Sequence, residues 1–293
     1  WFTRVDEALL QSGDWRRPAM LFLAMHDAAN AVMPRYATHR QVPAHDVPPT
    51  QANATLAAAA AGAAVLPGSE ALVAAARDAV PPAQAAPAEA LGTAIGRAML
   101  AAFTGQAAIR NEVLPGTPGI GRWRAAPGAP AEVRLFRARP FLTHGDTGLG
   151  TPPAPDSAAF LAAAEEVRAW GGQQSERRSA EQALLAFYWA ARRVPLSWMR
   201  MLGTAQLARA DATDLHAPLR LFAQIAAAQA DALVLWVAAK LDHAYWRPVT
   251  SLREGGPGLA AEPEWLPLVT TPHHPEFPSG HAADCAVGAA LWE

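Results

Sequence analysis

Long alanine-rich stretches, each cut off by proline or glycine, constrain this chain more than any other feature. Alanine loses no rotamer freedom in a helix, so residues 53–66, 69–79 and 87–112 predict helices, broken at Pro67-Gly68 and Pro81-Pro82. Upstream, Asp14 predicts a cap for a helix in which Pro18 is tolerated early. Leu21, Phe22, Met25, Ala29 and Val32 fall on one apolar stripe of it. Further on, a helix from about Ser157 stops at Gly171-Gly172, and Ser179 with Gln182 makes a capping box for a helix running towards Arg193. Another is expected over 197–213, and a long one from about Pro218 to Trp246 is ended by Pro248. Proline-dense residues 115–155 predict a long structured loop or crossover, and 249–278 a loop. A last helix starts near Ser279 and is still in progress at Glu293. No strand alternation and no short repeat stands out. The expected class is all-α, a multi-helix bundle.

Composition removes several function classes. A net charge of −2 over 293 residues gives no basic field for nucleic acid and no acidic tail. The single cysteine, Cys285, excludes an internal disulfide framework and leaves the compartment open. The apolar run from Ala54 to Leu66 is too short to span a bilayer. Leu219 to Lys240 is long enough, but Gln224, Gln229 and Asp231 interrupt it. A soluble protein without a membrane span is expected. The chain begins at Trp1 rather than methionine, which is compatible with a removed signal peptide and export to the periplasm or medium.

Two segments carry chemistry. Lys240 to Pro248 reads K-x6-R-P. On a continuous helix, seven residues advance roughly 700°, so Lys240 and Arg247 would leave one face about 10 Å apart. Two cations so placed repel unless an anion lies between them. Arginine offers a planar fork and lysine a compact point charge, a pairing suited to a tetrahedral oxyanion. The bland reading is a solvated basic face at a helix end. Pro278 to His281 reads P-S-G-H. Ser279 fits an N-cap, Gly280 lets the backbone approach a ligand, and free amides at the positive end of the helix dipole face whatever binds there. His281 in the first turn suits a general acid–base. The two segments together point to an anion site at Lys240, Arg247, Ser279, Gly280 and His281. Residues 1–293 are then expected to be a single α-helical domain, with N-terminal helices and crossover over 1–155 and the anion-site half over 156–293.

Other candidates are weaker. His273-His274 with Glu276 could suggest a transition metal, but adjacent histidines rarely converge on one ion. His26-Asp27 is better read as a buried, hydrogen-bonded pair, and His243 as a residue that edges the site or packs. Gly116, Gly119 and Gly121 look like a nucleotide loop without the strand and helix that one needs. Trp170, Trp189, Trp198, Trp236 and Trp246 are expected to fill the core.

Both signatures resemble the first two of the superfamily that joins vanadium-dependent haloperoxidases to type 2 phosphatidic acid phosphatases. The likeness extends to Leu23–Val32, to Gly121–Arg124 with Arg139–Phe141, and to Glu166–Gln182. It is closest over Tyr245–Thr250 and Pro272–Ala282. Its breadth favours the soluble bacterial haloperoxidase-related branch. The resemblance implies that Lys240, Arg247, Ser279 and the Gly280 amide hold the oxygens of vanadate or phosphate, with His281 as acid–base, catalysing peroxide-driven halide oxidation. His274 then stands where halide use is tuned, as in bromoperoxidases. Peroxide, a halide and an organic acceptor are the small-molecule partners so implied, and a homodimer is compatible with it.

The third signature of that superfamily, an S-R pair followed by a histidine, is not in the chain. That histidine is the metal ligand of the peroxidases and the nucleophile of the phosphatases. No metal ligand is therefore expected within these residues. The apolar stripe of Ala283, Ala286, Val287, Ala290 and Leu291 on the last helix asks for further partners, so the chain is expected to be part of a longer protein. Two alternatives stand beside the haloperoxidase reading. One is an acid phosphatase of the same fold acting on phosphomonoesters; the other is a non-catalytic helical protein that keeps only the anion pocket.

Overall fold

The structure, a computed structural model, describes residues 14–105, 108–126, 128–143, 149–191, 194–209 and 214–292. Among these residues it holds ten helices and one two-stranded ribbon. The first four helices are α1 (Arg17–Val32), α2 (Gln51–Val65), α3 (Glu70–Arg77) and α4 (Pro82–Thr104). The ribbon follows, β1 (Ile109–Pro115) with β2 (Glu132–Ala138), and then α5 (Ala158–Gly171), α6 (Ala180–Ala191) and α7 (Val194–Arg209). The chain continues with α8 (His216–His243), α9 (Pro248–Glu254) and α10 (Gly280–Trp292). The all-α expectation holds, with a small antiparallel addition.

The main core is built by α1, α2, α4 and α8. The α1 stripe Leu21, Phe22, Met25, Ala29 and Val32 is buried, but so are the residues between, from Pro18 to Asn30. A helix apolar all round is surrounded by others. The long helix α8 is long and apolar enough to cross a membrane by length and composition, yet it packs against α1, α7, α10 and β2. Its buried Asp231 accepts from the amides of Phe141, Leu142 and Thr143 at 2.5–3.0 Å, so a carboxylate in the core serves as a clasp for the chain leaving β2. The expected His26-Asp27 pair is present and buried at 3.2 Å, and Asp27 also accepts from the His39 and Arg40 amides. A smaller cluster, with Phe160, Tyr245, Trp246, Leu252 and Trp265 at its centre, lies under α5 and α9.

Several helix ends follow the sequence. Ser157 Oγ accepts from the Phe160 amide, and the Ser179/Gln182 capping box forms in both directions, at 2.8 and 3.2 Å. Arg193, expected near the end of α6, lies outside the described residues, as does the end of the 197–213 helix beyond Arg209. Asp14 does not occupy the cap position of α1; its side chain accepts from the Arg16 amide, one residue before the helix.

Four expectations need correction. Helix α4 starts at Pro82, with Pro87 inside its first turns, and stops at Thr104 rather than 112. The next residues form β1, part of it where helix was expected, paired antiparallel from Ile109↔Ala138 to Pro115↔Glu132 with β2, which lies inside the region expected to be loop. Arginine and glutamate on this ribbon conceal its alternation. Arg137 reaches across to Glu112 at 3.0 Å and on to Asp242 of α8 at 2.6 Å. The 249–278 stretch begins with the short helix α9, where Pro248 sits in the first turn as proline can. Finally, α8 ends at His243, three residues before Trp246. Ala244 takes a left-handed conformation, φ 42° and ψ 46°.

That turn is uncommon for alanine, and the chain around it over-determines it. Ala244 donates to the Lys240 carbonyl at 3.0 Å and accepts from the Trp123 amide at 2.7 Å, while the Trp246 amide donates to the Gly121 carbonyl at 3.2 Å. The Gly116–Gly121 loop is therefore a brace for residues 244–246. Gly121 itself adopts φ 76°, where a side chain would be strained.

Close helix contact rests on two glycines. A Cβ added to Gly92 or Gly96 of α4 would overlap the main-chain oxygen of Ala57 or Ala61 on α2. Gly92→Ala is expected to destabilise the fold by about 2–3 kcal/mol through overpacking, read as a lower denaturation midpoint in urea with an unchanged slope. A neutral result would mean that the two helices can separate without penalty.

Candidate anion site

Lys240 lies in the last turn of α8. Arg247 lies outside that helix, at the cap position before α9, so the same-face helical argument for the pair does not hold. The extended residues 245–247, held beside Gly121 and Trp123, bring the guanidinium back instead. Lys240, Arg247, Ser279, Gly280 and His281 all line one cavity of about 710 Å³, together with His274, Glu276, Trp236 and Asp284. Apolar side chains from α8 and β2, among them Leu233, Val237 and Phe136, form much of the remaining wall.

Lys240 is the only lysine in a chain with 24 basic Lys and Arg residues in all. It is 2% exposed, and its ammonium donates to the carbonyls of Pro275, Glu276 and Pro278 at 2.6–2.8 Å. Three donors meet three acceptors, which fixes the loop before α10 around the amine. Burial first, and then the Arg247 charge, push the pKa of Lys240 from 10.5 down to about 7, with Glu276 pulling the other way.

Arg247 is also engaged. Its Nε donates to the His274 carbonyl at 2.6 Å, one terminal nitrogen pairs with Glu276 at 2.6 Å, and the other donates to His274 Nδ1 at 2.8 Å. Guanidinium can only donate, so His274 Nδ1 must present its lone pair; the Pro275 oxygen 3.0 Å from that nitrogen is then a contact, not a bond. Burial and the neighbouring Arg247 lower the pKa of His274 from 6.5 to about 4, leaving the ring neutral at physiological pH. The two cations therefore have an acid close by. Asp242 does point elsewhere, to Arg137, but Glu276 supplies a carboxylate to Arg247.

Ser279 caps α10, its Oγ accepting from the Ala282 amide at 3.3 Å, and its own proton remains to donate. Gly280 is required for a reason other than ligand approach: an added Cβ would meet the Trp236 ring at 3.1 Å. His281 is exposed on the rim and its Nε2 lies 3.1 Å from the Trp189 carbonyl. A carbonyl only accepts, so Nε2 carries the proton and Nδ1 holds the lone pair of the neutral ring.

Three participants escaped the sequence reading. Trp236 was expected in the core, but it is half-buried and joins the parts of the site. Its ring packs on Gly280, has the Lys240 amine 5.7 Å from its centroid, and donates through Nε1 to Asp284 at 3.3 Å. Asp284 is buried, and that burial raises its pKa from 3.8 to about 6, against the Trp236 hydrogen bond and the His281 charge. Glu276 drew notice only as a weak metal candidate. A count of lysines would have marked Lys240 without any motif. Trp246 is a core residue as expected, Trp198 is half-buried, and Trp170 and Trp189 are each 39% exposed.

The remaining candidates separate. His273 bonds to the Glu132 carbonyl and abuts Trp123, so it does not converge with His274. His243 packs edge-on against Phe277. Ala283, Val287 and Leu291 of the α10 stripe are half-buried, while Ala286 and Ala290 are exposed. Helix α6 has no buried residue and exposes Leu184, Leu185, Phe187 and Tyr188. A second cavity, about 510 Å³ between α2, α3 and α4, has Arg77 paired with Glu89 and no histidine.

A folded-state pKa below the unfolded value means that the buried ammonium opposes folding below about pH 7, a penalty relieved as pH rises from 7 to 10.5. With one lysine, ε-amine-labelled protein gives a single signal for this group. Its titration midpoint is expected near 7 and should move up when phosphate is added. A midpoint near 10 would show the amine to be solvated.

Residues 220–293 match the family described as the VCPO second helical-bundle domain. No curated protein matches the chain by sequence. Among solved structures it resembles the first bacterial vanadium-dependent iodoperoxidase, with a TM-score of 0.72 and 19% identity over 99% of this chain and 78% of that one. It also resembles a bacterial vanadium-dependent chloroperoxidase in its apo and holo forms. Each gives a TM-score of 0.59 and 14% identity, over 93% and 95% of this chain and 74% and 75% of those. The chain thus shares its fold with these bacterial vanadium-dependent peroxidases, and its residues 220–293 match the VCPO second helical-bundle domain.

Proposed function

We propose that the 710 Å³ cavity binds a tetrahedral oxyanion and that the protein is a vanadium-dependent haloperoxidase-like enzyme, oxidising halide with peroxide. The observation that carries this reading is the meeting of Lys240, Arg247, Ser279, Gly280 and His281 around one cavity, in a fold shared with bacterial iodo- and chloroperoxidases.

The residues fit an oxyanion by charge and by donor set. Burial first, and then the charge of Arg247, disfavour the Lys240 ammonium, and a bound anion would relieve that cost. Lys240 would act as a buried charge, since its N–H groups are held by carbonyls. Arg247 would turn from Glu276 to the anion, and the Ser279 hydroxyl would donate to it. A bound vanadate supplies activation of peroxide towards nucleophilic attack by a halide. His281, with Nδ1 unprotonated in the neutral ring, would take or give a proton at the rim. His274 is held by Arg247, so halide tuning would act through that guanidinium. The lone pair of His274 is taken by Arg247, and no step through a metal-ligating histidine is assigned to these residues.

The test separates this reading from hydrolysis. Supplied with vanadate, peroxide and iodide or bromide, the protein is expected to halogenate a phenol indicator and to leave an aryl phosphate intact; hydrolysis without halogenation would make it a phosphatase of the same fold. Arg247→Ala should weaken vanadate binding by about 2–5 kcal/mol, because it strips a desolvated partner. His281→Ala should lower turnover far more than affinity. Wild-type affinity in the arginine variant, or neither activity in the wild type with vanadate bound, would overturn the assignment.

A further inference from the structure

Asp284 lies one helical turn beyond His281 on α10 and opens into the same cavity. Its carboxyl group is 6% exposed, and its hydrogen bond to Trp236 Nε1 comes from a neutral donor. No arginine or lysine pairs with it among the described ion pairs. The groups that share the cavity with it are His281 from its own helix, Lys240 from α8, Arg247 from the segment after it, His274 and Glu276 from the loop before α10, and Arg134 from β2. Among the described residues, helix α7 contributes Val194 and Pro195 to this wall. Both cations nearest the loop are already bonded, Lys240 to three carbonyls and Arg247 to Glu276.

A neighbouring side chain points the same way. Gln229 is 3% exposed; its amide donates to the Asp284 carbonyl at 2.9 Å, but its Oε1 is buried with no hydrogen-bond partner among the described residues. An orphan acceptor at this place calls for a donor. The acid form of Asp284 carries one, and so does a protonated oxyanion.

We infer that Asp284 determines which protonation state of the site accepts an oxyanion: as the acid it admits the anion, and as the carboxylate it repels it. The inference rests on the oxyanion reading of the cavity and adds a residue to it. An ionised Asp284 would add a second carboxylate to that of Glu276 in a cavity lined by Lys240, Arg247 and Arg134, which offsets the attraction for a further negative group. The protonated form leaves the cations unopposed on that side. Burial already favours this form up to about pH 6, so the cavity opens to anions on the acid side of neutrality.

The experiment compares orthovanadate binding to the wild type and to Asp284→Asn by equilibrium dialysis from pH 5 to pH 8. Asparagine keeps the shape and removes the ionisation, while vanadate's own protonation and the Lys240 titration affect both proteins alike. The ratio of wild-type to variant dissociation constants is expected near one at pH 5. Above pH 6 it should rise by up to about tenfold per unit. A ratio that stays flat while both proteins bind vanadate would overturn the role of Asp284 and leave the anion site standing. Absence of vanadate binding to either protein across the range would overturn the anion site, and this inference with it. A second measurement does not depend on the variant's folding: the Asp284 carboxyl signal of labelled wild-type protein should titrate at higher pH with vanadate bound, and an unmoved midpoint would also refute the proposal.

Discussion

Three carbonyl oxygens closing on one ammonium hold this site together. The loop from Pro275 to Pro278 has little regular structure of its own, and without Lys240 its carbonyls would converge on nothing. With it, α8 is tied to the start of α10, and Ser279, Gly280 and His281 are delivered to the same cavity. A buried cation with matched acceptors costs less than a bare one, yet the neighbouring guanidinium keeps it expensive. Under the proposed function, a bound anion would relieve that remaining cost.

Arg247 reaches the cavity by a different route. Its position depends on a left-handed alanine and on hydrogen bonds from Gly121 and Trp123, far away in sequence. The loop that looked like a degenerate nucleotide motif is therefore structural, bracing the turn that aims the arginine. Trp236 performs the matching service on the other side, as a flat surface against which Gly280 packs and from which Asp284 takes a hydrogen bond.

Much of this was legible in the residues, for identifiable reasons. Alanine runs and capping pairs act locally, so Ser157, Ser179 and Gln182 announced their helices correctly. The two charged motifs named side chains that the fold brings to one cavity. The path between Lys240 and Arg247 was misread, since a run of helix-compatible residues hides a stop that only distant hydrogen bonds enforce at Ala244. The ribbon was missed because charged pairs across it replace the apolar alternation that marks a strand. Glu276, Trp236 and Asp284 gained meaning only from what lies beside them; nothing in their own spacing announces a shared cavity.

The solitary lysine also gives the molecule a built-in reporter. A protease that cleaves only after lysine has one target bond in this polypeptide, between Lys240 and Leu241, and both residues are buried. Scission there requires the amine to leave its carbonyl cage and the end of α8 to unwind. The rate of that single cut therefore measures how often this corner of the protein comes apart, separately from the melting of the alanine helices at the other end.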